Sequence, residues 1–301
     1  MYVVNRGPEN AGFWVCPKCG RRLKKRDEKH HRPDWTGGEC NGRPTDVTLL
    51  LHGFQSDVML AAIDLPSSMV ANPRTASGRA AWLSFGTALL HAAATHLQIN
   101  ADELATGMRP WMTSDGRLLG EVYLYDTLPN GAGYADEIAK EIGTILERAR
   151  DICEHCPTDC ETACYQCLLD YGNQRYHPQL DRFLARDLIR YALDGATPVP
   201  DEARLAKALR HLSPFASAGY ELTFDVTEDG VSMPSVLFMP NADAPASIWP
   251  FHSLVGTDAS LATKLAIDTG TTPIFVREFD LIRRPFWVWN EILDGKRGMI
   301  E

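Results

Sequence analysis

The sequence has 301 residues, 45% of them hydrophobic and 23% charged, and carries a formal net charge of −9. That length and balance suit one large or two ordinary globular domains with real cores and exclude a disordered chain. The acidity excludes non-specific DNA binding by the whole surface, because attraction to phosphate needs clustered Lys and Arg. The opening residues show no basic segment leading into an apolar run, and no stretch of about 18 apolar residues occurs, so a cytoplasmic protein with no membrane partner is expected. In a reducing compartment clustered cysteines are more often metal ligands than disulfides.

Residues 1–46 are turn-rich and form an N-terminal zinc-knuckle region. Cys16-Pro-Lys-Cys19-Gly20 presents two thiolates on a tight turn. Cys40 supplies a third ligand, and His30 or His31 a fourth. The sequence does not separate these neighbours, and His30 is taken as the working choice. Between knuckle and histidines lies a basic run, Arg21, Arg22, Lys24, Lys25 and Arg26, a local patch suited to nucleic-acid phosphates.

Residues 46–52 read as a strand, 53–57 as a turn and 58–63 as a second strand, together a hairpin-like pair. His52 and Asp57 bracket the turn, where side-chain hydrogen bonds are a commoner use than acid/base chemistry. After a Pro/Ser/Asn-rich loop, Ser77 caps a helix reaching about Leu97, with Trp82, Phe85, Leu89, Ala93 and Leu97 on its core face. His91 and His96 have no carboxylate or cysteine near them in sequence and are read as structural. Residues 98–116 are a connection and 118–126 a buried strand. A glycine turn at 127–134 then leads into a helix striped by Ile138, Ile142, Ile145, Leu146, Ala149 and Ile152. The turn lacks the phosphate-loop lysine, so its glycines are expected to allow close backbone packing.

That helix runs into the densest chemistry of the chain: Cys153, Cys156, Cys160, Cys164 and Cys167, five of the eight cysteines within fifteen residues. Four thiolates close a tetrahedron around Zn²⁺, so the spacing points to a zinc site with one cysteine to spare. A further helix is expected from Pro178 to about Leu193, striped by Leu180, Phe183, Leu184, Leu188 and Tyr191. Residues 195–200 are a linker. Beyond them come a short helix at 201–212, strands near 221–226 and 234–238, a loop, a strand at 272–279, and the apolar Phe286-Trp-Val-Trp289, read as core.

Taken in order, Phe13-Trp-Val-Cys-Pro-Lys-Cys-Gly20, Leu51-His-Gly-Phe-Gln-Ser-Asp57, Tyr123-Leu-Tyr-Asp-Thr-Leu-Pro-Asn-Gly-Ala-Gly-Tyr134, Cys160-Glu-Thr-Ala-Cys-Tyr-Gln-Cys-Leu168 and Leu180-Asp-Arg182 resemble the MrfA-type zinc-binding domain family. Members lie at the C-termini of superfamily 2 DNA helicases or in stand-alone helicase partners. Asn130-Gly-Ala-Gly133, Cys164-Tyr-Gln-Cys-Leu168 and Tyr171-Gly-Asn-Gln174 with His177 look closest to the DrmB-like branch of the DISARM anti-phage system. The resemblance covers about residues 1–190 and implies that the late cysteines bind zinc. Cys160, Cys164 and Cys167 match well, and the first ligand is Cys156 or Cys153. Cys156 is preferred because its gap to Cys160 repeats the next gap. Since DrmB-like proteins are longer, a fragment, a split subunit or a trimmed relative is expected.

The implied fold class is α+β. A zinc-stabilised helicase-associated core of mixed strands and amphipathic helices spans 47–195, and a smaller C-terminal α+β region of unassigned role spans 200–301. The implied function is a non-catalytic subunit of a superfamily 2 helicase or translocase that supports DNA binding or loading in anti-phage defence. Two alternatives are a DNA-acting hydrolase such as a nuclease, and a zinc-stapled protein scaffold that never touches DNA. Against a hydrolase, neither the deaminase signature nor a carboxylate pair followed by Glu-x-Lys occurs.

Overall fold

The computed structural model describes residues 2–7, 11–24, 30–33, 37–43, 47–218, 221–224, 236–239, 246–256, 272–295 and 298–300. Lys25 and Arg26 of the basic run, and parts of the strands expected near 221–226 and 234–238, lie outside them. The chain divides into two compact units, Met1–Ser56 with Leu128–Ala132, and Asp57–Thr127 with Gly133–Glu301.

In the first unit, β1 (Tyr2–Asn5) pairs antiparallel with a later strand, β5 (Leu50–Gly53). Between them, β2 (Phe13–Val15) lies between β3 (Arg22–Leu23) and β4 (Val47–Thr48). The hairpin expected from residues 46–63 does not form. Residues 53–57 carry none of the dipeptides that close a two-residue hairpin, and β5 takes β1 as its partner instead.

The second unit is built on β6 (Val58–Ala62), β7 (Leu104–Met112) and β8 (Leu118–Asp126), an antiparallel sheet in the order β6-β8-β7. Residues 104–112, expected as connection, are therefore an edge strand, where Pro110 costs no ladder hydrogen bond on its open side. Helix α1 (Ala76–Leu97) packs on the inner face of this sheet and against two further helices, α3 (Ile142–Glu154) and α4 (Arg182–Asp194). Its cap is Thr75, whose hydroxyl accepts from the Gly78 amide at 3.1 Å, while Ser77 lies buried inside the first turn. Helix α1 is small and apolar nearly all round, so it buries every side rather than one stripe.

The helix expected after the glycine turn is two helices, α2 (Tyr134–Lys140) and α3, broken at Glu141. The Glu141 carboxylate instead meets His96 Nε2 at 2.7 Å. At the turn itself, a Cβ on Gly133 would meet nothing within 4 Å, so close packing is not what calls for this glycine. Its φ of +86° is. The first amides of α2, from Tyr134 and Ala135, donate to the fully buried carboxylate of Asp126 at 3.1 and 3.0 Å. An internal carboxylate thus occupies the place an external anion would take. Asp126→Ala is expected to cost about 1–2 kcal/mol, the worth of a strong helix cap, read as a lowered denaturation midpoint.

After α4 come α5 (Glu202–Leu209), a 3₁₀ turn (Arg210–Ala218), and a five-stranded sheet. Its strands are β9 (Glu221–Phe224), β10 (Val236–Met239), β11 (Ala246–Phe251), β12 (Thr272–Arg277) and β13 (Gly298–Ile300), in the order β13-β12-β11-β10-β9. Strand β11 falls where a loop was expected. Its Pro250 stands in register with Val276 of the parallel neighbour β12. Helices α6 (Glu278–Arg283) and α7 (Pro285–Leu293) complete a second core, in which Val288 and Trp289 are buried while Phe286 is exposed. A buried pair ties this region to α4: His252 Nε2 lies 2.8 Å from Asp187. Burial works to raise that carboxyl, but His252 and Arg186 hold it below the ordinary carboxylate range. No helix among the described residues is long and apolar enough to cross a membrane.

Candidate zinc sites

The 3.6-residue period of α3 carries the chain to His155, after which residues 156–169 turn back on themselves before the 3₁₀ turn Gln174–Gln179 and α4. This loop gathers the sulfurs of Cys156, Cys160, Cys164 and Cys167, all within 4.8 Å of one another. The separations Cys156–Cys160, Cys156–Cys164, Cys160–Cys167 and Cys164–Cys167 are 3.7, 3.5, 3.7 and 3.8 Å. A tetrahedron with Zn–S bonds of about 2.3 Å has edges of about 3.8 Å. Sulfurs joined as a disulfide would sit about 2.05 Å apart, and all eight cysteines are free thiols. The donor set fits Zn²⁺.

Electrostatics point the same way. Burial works to raise the Cys156 thiol, but hydrogen bonds from the Thr158 hydroxyl and the Cys160 and Thr158 amides bring it down to about 6. Burial and the neighbouring thiols push Cys160 far above the usual thiol range, and burial lifts Cys167 to about 11 despite its hydrogen bonds. Four thiolates this close need a bound cation to ionise together. Backbone amides already face the sulfurs: Cys164 N–H donates to Cys167 Sγ at 3.2 Å and Gln166 N–H to Cys164 Sγ at 3.3 Å.

Cys153 is not part of this group. It is fully buried one turn back on α3, and desolvation drives its thiol far upward, opposed by the Arg182 and Arg186 charges. Cys153→Ala is accordingly expected to leave zinc content unchanged on elemental analysis.

The loop is held from behind by residues that the sequence does not mark as site residues. Arg182, 3% exposed, donates from Nε to the Cys160 carbonyl at 3.0 Å, from Nη1 to the Cys153 carbonyl at 2.9 Å, and from Nη2 to Asp159 at 2.7 Å. Asp181 caps α4 and pairs with Arg204, which also pairs with Glu278 and donates to the Glu161 carbonyl at 2.8 Å. From α1, His91 places Nδ1 3.0 Å from the Cys167 carbonyl and Nε2 2.9 Å from Asp170. Its carboxylate partner lies 79 residues away in sequence, which is why a local reading finds none.

In the first unit, Cys16, Cys19, Cys40 and His31 gather within the same 4.8 Å limit. Cys16 and Cys40 sulfurs are 3.8 Å apart, and Cys19 Sγ lies 3.1 Å from His31 Nε2. The knuckle turn closes through Gly20 N–H to the Cys16 carbonyl at 2.7 Å. Burial raises the Cys16 thiol, but the Cys19 and Lys18 amides bring it down to about 7. His31 replaces His30 in this group. An antiparallel bridge pairs His31 with Cys40, so the residue before it points away, and His30 is exposed. We expect His31→Ala to lose one zinc per chain and His30→Ala to lose none. Of the basic run, Arg22 stacks over the Phe13 ring at 5.3 Å, and Arg22 and Lys24 are exposed.

Two four-donor groups of this kind define a zinc-binding protein of mixed α+β structure. Residues 85–168, running from α1 through the late cysteines, match the MrfA Zn-binding domain family. Druantia protein DruE of Escherichia coli (strain UMEA 4076-1) is 33% identical over 220 residues, which cover 66% of this chain and 12% of DruE. Two crystal structures of the DUF1998 helicase MrfA, one bound to DNA and one to DNA and AMPPNP, align at 18% identity with TM-scores of 0.33 and 0.31. They cover 53% and 51% of this chain, and 19% and 18% of theirs. Scores this low carry no structural argument. Residues 85–168 are thus similar to an MrfA-type zinc-binding domain, this chain spans about an eighth of DruE, and the metal that both donor groups fit is Zn²⁺.

Proposed function

We propose that the chain is a non-catalytic, zinc-stabilised module that works with a superfamily 2 helicase or translocase and supports DNA binding or loading in anti-phage defence. The observation that carries this reading is the late cysteine group. Its four sulfurs at tetrahedral spacing use every coordination position, whereas a catalytic zinc keeps one open for water or substrate. Cys156, Cys160, Cys164 and Cys167 hold one ion, and Cys16, Cys19, His31 and Cys40 the other. The family match and the relation to DruE support the helicase and defence setting. The motifs at Asn130–Gly133 and Cys164–Leu168 favour a DrmB-like place within it. In this reading the core of residues 47–195 is the docking module, and the run from Arg21 to Arg26 supplies phosphate contacts.

The test is affinity capture of the tagged chain from host cells that express the surrounding defence genes. Recovery of a helicase subunit, with zinc retained, is the expected result; a chain that captures no helicase overturns the reading. Neutralising Arg21, Arg22, Lys24, Lys25 and Arg26 is expected to flatten the salt dependence of DNA binding by the complex. An unchanged slope removes that run from the DNA contact.

A further inference from the structure

The outer face of the β6-β8-β7 sheet has an unusual composition. Burial alternates along β8, with Val122 and Leu124 fully buried against α1 while Tyr123 and Tyr125 turn outward, their rings stacked at 6.3 Å and 29°. Opposite them, β6 contributes Leu60 and Val58, 50% and 43% exposed. On the other side β7 contributes Gly107 and Ala105. Gly107 is required there: a Cβ would fall 2.3 Å from the Tyr123 hydroxyl oxygen, so only glycine lets that ring lie across β7. The Arg175 guanidinium, exposed on the 3₁₀ turn after the zinc loop, sits 4.6 Å from the Tyr176 ring centre. Burial, with the neighbouring Tyr176 phenol, raises the Tyr123 phenol, and burial, with the Tyr123 and Tyr176 phenols, raises that of Tyr125, while the Arg175 charge opposes both shifts. Arg109 is paired with Glu121 across the strands and adds no spare charge.

We infer that this face is a stacking platform for single-stranded nucleic acid, in which the Tyr123 and Tyr125 rings receive unpaired bases and Arg175 meets the backbone phosphate beside them. A flat aromatic pair on a sheet accepts any base through its π-face, and an exposed guanidinium at its margin supplies a positive charge for the phosphate. Duplex DNA keeps its bases stacked inside and offers such a surface nothing but phosphate. The inference rests on the DNA-supporting role proposed above, and it puts strand recognition in the second unit, apart from Arg21–Arg26.

The experiment uses the full 301-residue chain with zinc bound, and measures fluorescence anisotropy of a labelled twenty-nucleotide oligothymidine and of a duplex of equal length. The expected result is that the single strand binds more tightly than the duplex, and that Tyr125→Leu and Tyr123→Leu each weaken it about tenfold or more. Tyr125→Phe is expected to keep wild-type affinity, since stacking needs the ring and not the hydroxyl. Arg175→Gln should reduce the salt slope by about 0.7, the worth of one single-strand phosphate. Zinc content and melting temperature of each variant confirm the fold. The inference is overturned if wild type does not bind the oligonucleotide, if Leu and Phe variants bind alike, or if the tyrosine variants lose helicase capture while keeping oligonucleotide affinity. A chain that captures helicase but not oligonucleotide sinks the platform alone. One that binds oligonucleotide through these tyrosines without capturing helicase sinks the helicase reading alone.

Discussion

Cys164→Ser protein is expected to carry one zinc fewer per chain than wild type and to melt far below it. The serine hydroxyl is a poor zinc ligand, and Cys164 Sγ sits 3.5 Å from Cys156 and 3.8 Å from Cys167, so its loss opens one vertex of the group. Structural zinc in small peptides is worth about 10–16 kcal/mol. Even a third of that, about 3–5 kcal/mol, is a large part of the roughly 5–15 kcal/mol by which domains are stable. The zinc loop joins α3 to α4, so their mutual packing should loosen with it. Elemental analysis together with thermal denaturation decides the matter. Unchanged metal content would show that the ligand set is wrong.

Arg182→Met is expected to destabilise the protein by about 3 kcal/mol while leaving every zinc ligand in place. The guanidinium is almost wholly buried and satisfies the Cys153 and Cys160 carbonyls. A methionine fills similar space but leaves those acceptors without a donor, at about 1–3 kcal/mol each. Arg190→Met makes the contrast. Its partner Glu154 and its own head are near solvent, and exposed ion pairs contribute about 0–1 kcal/mol. Chemical denaturation of the two variants side by side, with zinc measured on each, separates a supporting role from a surface one. Equal midpoints would refute the role given to Arg182.

The late cysteines were legible because zinc dictates short thiolate spacings whatever the surrounding fold, and α1 and β8 because their apolar patterns are long. Several features were out of reach for definable reasons. The choice between His30 and His31 depends on which side of an extended segment faces inward, and only the bridge to Cys40 fixes that parity. Strand β7 is interrupted by glycine and proline, so its composition reads as loop, yet those two residues suit an edge strand that a tyrosine ring crosses. The break at Glu141 was masked because the isoleucine stripe continues through it. Arg182 and His91 act through backbone carbonyls distant in sequence, and no spacing rule announces such partners.

The late zinc ligands all fall between Cys156 and Cys167, whereas Cys16 and Cys40 stand 24 residues apart. Each doubling of a flexible loop adds only about 0.6 kcal/mol to its closure, but the shorter interval also lies wholly within one turn of chain with no strand to be paired first. The order of assembly then need not follow the order of synthesis. The early group needs the bridge between His31 and Cys40 to bring its donors together, whereas the late group is gathered by one loop, which fixes where α3 ends and α4 begins.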